Sequence, residues 1–88
     1  MTSKERASLK ALAHGLQAVF QIGKNGATPE LVQGIDDYLE AHEIIKINVL
    51  NNCLEDPRNL AEVLSGRTRS QVVQVIGKKI VLFRKSNK

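Results

Sequence analysis

Residues 22–29 read Ile22-Gly-Lys-Asn-Gly-Ala-Thr-Pro29, and the order of signals in this octapeptide sets the architecture around it. An apolar run with strand character, Ala18-Val-Phe-Gln-Ile22, leads in, and a helix-start pair closes it. Thr28 suits the N-cap, where its hydroxyl accepts one of the free helical N–H groups, and Pro29 suits the first helical position, where its missing N–H costs nothing. The two glycines between can take positive φ and allow another backbone to come close. The reading is strand, tight loop, helix. It presents Lys24, Asn25 and backbone N–H groups near Ala27 and Thr28 beside the positive end of a helix, a setting that favours a phosphate.

Outward from this loop, periodicity marks the remaining elements. Thr2 followed by Glu5 forms a capping-box pattern, Leu9, Leu12, Ala13 and Leu16 fall on one face at helical spacing, and Gly15 sits where a helix would terminate. A second helix is expected from Pro29 to about His42, its inner face carrying Leu31, Val32, Ile35 and Leu39. Gly34 weakens it by up to about 1 kcal/mol relative to Ala. Ile44–Leu50 alternates as a strand, with Ile45, Ile47 and Val49 on one side and Lys46 and Asn48 on the other. Asp56-Pro57 opens a short helix through Leu60, Val63 and Leu64 that is expected to stop at Ser65-Gly66, leaving Arg67-Thr-Arg69 as a connection. Val72–Ile76 and Ile80–Phe83 flank Gly77-Lys78-Lys79 as a hairpin. The fold class is therefore α/β: a compact single domain over residues 1–88, ordered helix–strand–helix–strand–helix–strand–strand. A small mixed four-stranded sheet should be covered by helices.

Composition narrows the function. The chain has 88 residues, 42% of them hydrophobic and 25% charged, as in an ordinary folded domain. Nothing approaches the roughly 20 apolar residues that span a bilayer, and Met1–Lys10 is too charged for a signal segment, so a cytoplasmic location is expected. Cys53 is the one cysteine, and His14 and His42 lack ligand spacing, so neither a disulfide nor zinc is expected. The glycine loop lacks the Walker spacing, because Ala18 stands where the first glycine belongs and Asn25 follows Lys24, and no Gly-x-Gly-x-x-Gly occurs. With no catalytic constellation, the expectation is a binding protein without cofactor or small-molecule substrate.

Thirteen Lys and Arg against nine Asp and Glu give a net charge of +4. The acids cluster between Glu30 and Glu62, whereas an acid-free C-terminal stretch carries Arg67, Arg69, Lys78, Lys79, Arg84, Lys85 and Lys88. Lys85 and Lys88 read as a solvated tail. The others, with Lys24, suggest a surface for a polyanion. A Gly-x-x-Gly loop clamping a nucleic-acid backbone is the device of KH-type RNA-binding modules. The rival reading is a small adaptor that sets its basic face against an acidic protein; an enzyme built around His14, His42 or Cys53 ranks below it.

Four strings, "LKALAH" at Leu9–His14, "QIGKNG" at Gln21–Gly26, "EAHEIIKI" at Glu40–Ile47 and "VQVIGKKIVLFR" at Val73–Arg84, stand in register over nearly the whole chain. Together they resemble the CRM domain, the chloroplast RNA splicing and ribosome maturation family, and in particular its bacterial single-domain YhbY-like branch. The resemblance implies a fold similar to the C-terminal domain of bacterial translation initiation factor three. It also implies RNA binding through the glycine loop and association with ribosomal RNA in large-subunit precursors; a monomer is expected. Gly23, Lys24, Asn25 and Gly26 match the family loop position by position.

The expected RNA contacts are then Gly23, Lys24, Asn25, Gly26 and Thr28 at the loop. Arg67, Arg69, Lys78 and Arg84 support them, and Lys46 and Lys10 come next. Phe20, Tyr38 and Phe83 are expected in the core rather than as stacking platforms, so recognition should rest on shape and phosphates more than on base sequence.

Overall fold

A computed structural model describes residues 1–86; Lys88, read above as tail, lies outside the described residues. Three helices and four strands alternate as α1 (Ser3–His14), β1 (Phe20–Ile22), α2 (Pro29–His42), β2 (Ile44–Val49), α3 (Pro57–Thr68), β3 (Gln71–Ile76) and β4 (Lys79–Phe83). The sheet order is β1-β2-β4-β3. β1 lies parallel to β2, joined to it by the α2 crossover, while β2–β4 and β4–β3 are antiparallel. The fold is the single α/β domain with a mixed sheet that the periodicity anticipates.

Alternation along β2 decides the layering. Ile45, Ile47 and Val49 are buried and meet Ile35 and Leu39 of α2 and Leu60, Ala61 and Leu64 of α3, with Ile22, Ile80 and Leu82 completing the core. On the opposite face α1 closes a smaller cluster of Ala13, Val73 and Val81, flanked by Leu9, Ile44 and Phe83. The larger core carries most of the hydrophobic stabilisation, since that term scales with the apolar area removed from water. Leu12, expected on the inner face of α1, is instead 56% exposed, because a helix this narrowly seated buries one residue, Ala13.

Local chemistry sets the ends of the elements. The capping box at α1 is complete: Thr2 Oγ1 accepts the Glu5 N–H at 3.1 Å, and Glu5 Oε1 accepts the Thr2 N–H at 3.2 Å. α2 ends at Glu43, a non-glycine residue in the left-handed region (φ 68°) whose N–H donates to Leu39 O. α3 runs through Gly66, past the expected stop, and is capped by Arg69 at φ 57°. The extra turn buries Thr68, whose hydroxyl donates to Leu64 O at 2.7 Å; tertiary packing thus overrides the local glycine penalty.

Three boundaries shift. β1 is limited to Phe20–Ile22, although Val19 N–H still donates to Lys46 O at 3.0 Å. The hairpin turn is two residues, Gly77 (φ 55°) and Lys78, and Lys79 opens β4 opposite Ile76. β3 starts at Gln71 and contains a bulge between Val72 and Gln74. Gly34 has a positive use as well. A Cβ there would stand 3.0 Å from Phe20 Cε1, so the missing side chain lets α2 lie directly on β1.

Candidate nucleic-acid interface

The glycine loop begins where the core stops. Ile22 is fully buried and its carbonyl accepts the Leu50 N–H at 2.9 Å, which pins the entry to the loop. The Gly26 N–H then donates to Gly23 O at 3.0 Å, closing a turn with Gly26 at φ 65°. Thr28 Oγ1 accepts the Leu31 N–H at 3.2 Å, so α2 starts with its cap made. The Thr28 N–H is spent on Gly26 O, at 3.1 Å, and is not free for a ligand; Ala27 is the better backbone donor. Lys24 and Asn25 project from the turn, exposed, and neither side chain makes a hydrogen bond among the described residues.

Neighbouring loops extend this end of the sheet. The turn after β2 places the Asn52 side chain against Gly23, where a Cβ would come within 3.4 Å of its Oδ1. Asn51 Oδ1 accepts from Lys78 Nζ at 2.8 Å, tying the hairpin tip to the same turn. Lys79 Nζ donates to Asn48 Oδ1 at 2.9 Å. Lys24 and Lys78 therefore lie at the same end of the sheet, bridged by Asn51 and Asn52. The two asparagines carried no sequence signal beyond turn character.

The remaining candidates divide. Arg67 borders a groove shared with Lys24, Asn25, Gly26, Leu54 and Glu55, so it faces the glycine loop. Arg69 lies away from the loop, in a groove beside Asp36, Asp37 and Glu40 that Arg67 also borders. Arg84 is withdrawn from the interface. Its side chain is 17% exposed, and its guanidinium donates to the Asp36 carboxylate, the Thr68 carbonyl and the Glu40 carboxylate. Lys46 is withdrawn too, since its Nζ donates to Ala13 O, in the last turn of α1, and to Leu16 O, just beyond its cap, at 3.4 and 3.3 Å.

Charge is sorted by face in a way the linear sequence hides. Of the nine acids, Glu5 alone belongs to α1; the other eight lie on α2, on α3 or in the segments joining them to the sheet. The α1 side therefore carries Lys4, Arg6, Lys10, Lys46 and Lys79 with almost no opposing charge. Glu55 was not singled out by sequence, yet its Oε2 would stand 3.0 Å from a Cβ on Gly26. That puts a carboxylate directly beside the loop. Glu5 is held below the ordinary glutamate value by the backbone and side-chain hydrogen bonds with Thr2.

The other singled-out residues are scattered. His42 stacks on Tyr38 with ring centroids 4.2 Å apart, and Tyr38 meets Phe20 edge to face at 6.1 Å. Cys53 is half-buried, its Sγ 3.9 Å from Glu55 O. His14 ends α1 on the other face. Among the described residues, no helix is long and apolar enough to cross a membrane.

Comparison with known proteins identifies the family. The family model of the CRS1 / YhbY (CRM) domain matches residues 1–84. A Bacillus subtilis protein named "Probable RNA-binding protein YqeI" is 44% identical over 86 residues, 98% of this chain and 90% of that one. A Haemophilus influenzae protein named "RNA-binding protein" is 34% identical, covering 98% and 87%. The solution structure of SAV1595 from Staphylococcus aureus, a protein for which RNA binding has been put forward, superposes with a TM-score of 0.84 at 46% identity, covering 100% of this chain and 92% of the other. The family match over residues 1–84 and the shared fold converge: the chain belongs to the CRS1/YhbY (CRM) domain family.

Proposed function

We propose that this protein binds structured RNA by gripping the phosphate backbone on the Gly23–Gly26 loop, acting as a binding protein rather than a catalyst. The observation that carries the reading is the unsatisfied Lys24–Asn25 tip, held on a closed glycine turn immediately before the N-terminus of α2. Lys24 supplies a mobile point charge, Asn25 hydrogen bonds, and the Ala27 N–H a fixed donor. Arg67 and Lys78 flank the loop on its two sides, and Thr28 acts by capping α2 rather than by touching RNA. The relatives' names support RNA as the ligand class. The family resemblance supports ribosomal RNA in large-subunit precursors as the target, with residues 1–88 working as one monomeric, cytoplasmic unit.

The test is affinity for a structured fragment of large-subunit ribosomal RNA across a salt series, for wild type and Lys24→Asp/Asn25→Asp, with circular dichroism as the folding control. Neutralising about three to five phosphates gives a steep fall of affinity with salt. The double variant should bind far more weakly. Equal binding by both proteins would remove the loop from the mechanism, and no binding by wild type at low salt would promote the protein adaptor.

A further inference from the structure

The face of the sheet under α1 is only partly covered. Beyond the C-terminal end of α1, a depression of about 200 Å³ opens beside the hairpin, with Ala13, Val81 and Ile76 as its apolar floor and wall. His14, Lys46, Gln74 and Lys79 stand around it. Ile76 is 57% exposed, an unusual position for a large aliphatic side chain at the end of a paired strand. The His14 and Gln74 side chains make no hydrogen bond among the described residues. The volume lies below the ~300 Å³ at which drug-sized ligand sites begin, so it suits one planar ring rather than a whole cofactor.

Charge and continuity indicate whose ring. This face carries Lys4, Lys10 and Lys79, together with Arg6 and Lys46, which are hydrogen-bonded to backbone carbonyls, against the single acid Glu5, so a polyanion is the ligand it attracts. Lys79 lies on the rim, and the next residue, Lys78, is bound to the turn that adjoins the glycine loop. Lys78 and Lys79 are consecutive, so the hairpin links the turn beside the glycine loop to the rim of the depression.

We infer that this depression is a seat for one unpaired nucleobase of the bound RNA, an inference that rests on the RNA reading above. The base lies against Ile76 and Val81, the His14 imidazole borders its edge, and Gln74 offers both a donor and an acceptor. Lys79 meets the neighbouring phosphate. Because the contact is mainly apolar and the amide can turn either way, the seat accepts any base. It adds affinity for unpaired nucleotides without reading sequence.

The experiment is a methyl and amide NMR titration of the whole protein with two polyanions, a uridine nonamer and base-free inorganic polyphosphate. The uridine oligomer should shift the Ile76 and Val81 methyls together with the Lys24–Gly26 amides, whereas polyphosphate should shift only the amides. Ile76→Ser should weaken the oligomer about five-fold and leave polyphosphate binding unchanged. Amide shifts with still methyls under the oligomer would overturn the seat and leave the loop reading standing. Equal methyl shifts with both polyanions would also overturn it, since charge alone would then explain them. Stillness of both sets would overturn seat and loop together.

Discussion

Arg84 and Asp36 meet across 48 positions of sequence: one guanidinium nitrogen donates to the Asp36 carboxylate and the other to its backbone carbonyl, at 3.0 Å. A third bond, to Thr68 O, makes Arg84 the tie between the end of β4, the middle of α2 and the last turn of α3. A cation placed in this way serves stability. Arg84→Ala should cost about 2 kcal/mol, because carbonyl and carboxylate acceptors are left without their donor. That corresponds to a fall in Tm of about 10 °C for a domain of this size, while the RNA affinity of the folded protein stays within about two-fold. Thermal melts and a titration at low temperature check both halves.

Lys78 and Arg69 look alike in sequence but should separate on titration. Lys78→Ala should weaken RNA binding and flatten the plot of log affinity against log salt by about 0.7–0.9, the value of one phosphate contact. Arg69→Ala removes a cation that faces Asp36, Asp37 and Glu40, and should leave the slope unchanged.

Glu55 opposes the ligand. Its carboxylate lies beside Gly26, so Glu55→Gln should raise RNA affinity about two- to five-fold at low salt, as loss of a repulsion of about 0.5–1 kcal/mol implies. The gain should vanish toward 1 M salt, where the screening length is about 3 Å. A filter-binding or anisotropy series at two salt concentrations decides it.

The same substitution at two glycines should have opposite signs. Gly26 sits at φ 65°, so Gly26→Ala should destabilise by about 1–2 kcal/mol. Gly66 is inside α3, and a Cβ there meets nothing within 4 Å. Gly66→Ala should therefore stabilise by about 0.5–1 kcal/mol. Urea denaturation of both variants measures the pair.

The capping box of α1 should show in acid. Because the Thr2 hydrogen bonds lower the Glu5 pKa in the folded state, their contribution is fully present above the ordinary value of 4.5 and is lost as pH falls through the lower folded value. The stability difference between wild type and Glu5→Gln should therefore shrink between pH 6 and pH 3. A gap that widens in acid would contradict the box.

The elements that the sequence made legible are those whose signals are local. The period-2 run of β2, the Thr28-Pro29 start of α2 and the glycine turn at Gly77 each follow from neighbouring residues, and each stands in the structure. The end of α3 was misread because Gly66 signals a stop locally, while burial of Thr68 and the reach of Arg84 are tertiary facts. Sidedness failed for the same reason. Arg67, Arg69 and Arg84 border one groove with Asp36, Asp37 and Glu40, acids of α2 that lie 27 or more positions earlier in sequence. Glu55 escaped notice because its meaning comes only from its distance to Gly26.

Arg6 carries a consequence for the protein at high concentration. Its Nη1 donates to Val72 O at 2.8 Å and to Val73 O at 3.0 Å, the two carbonyls at the bulge of β3, which is the outer strand of the sheet. A bare strand edge is a template on which a second molecule can add its own strand, and such addition seeds aggregates. Here the bulge breaks the regular spacing, a cation from α1 holds the carbonyls, and the one hazard left on that margin is the greasy tip at Ile76. Loss of Arg6 would show first as turbidity and sedimentation of stored protein, well before any change in how a fresh, dilute sample behaves.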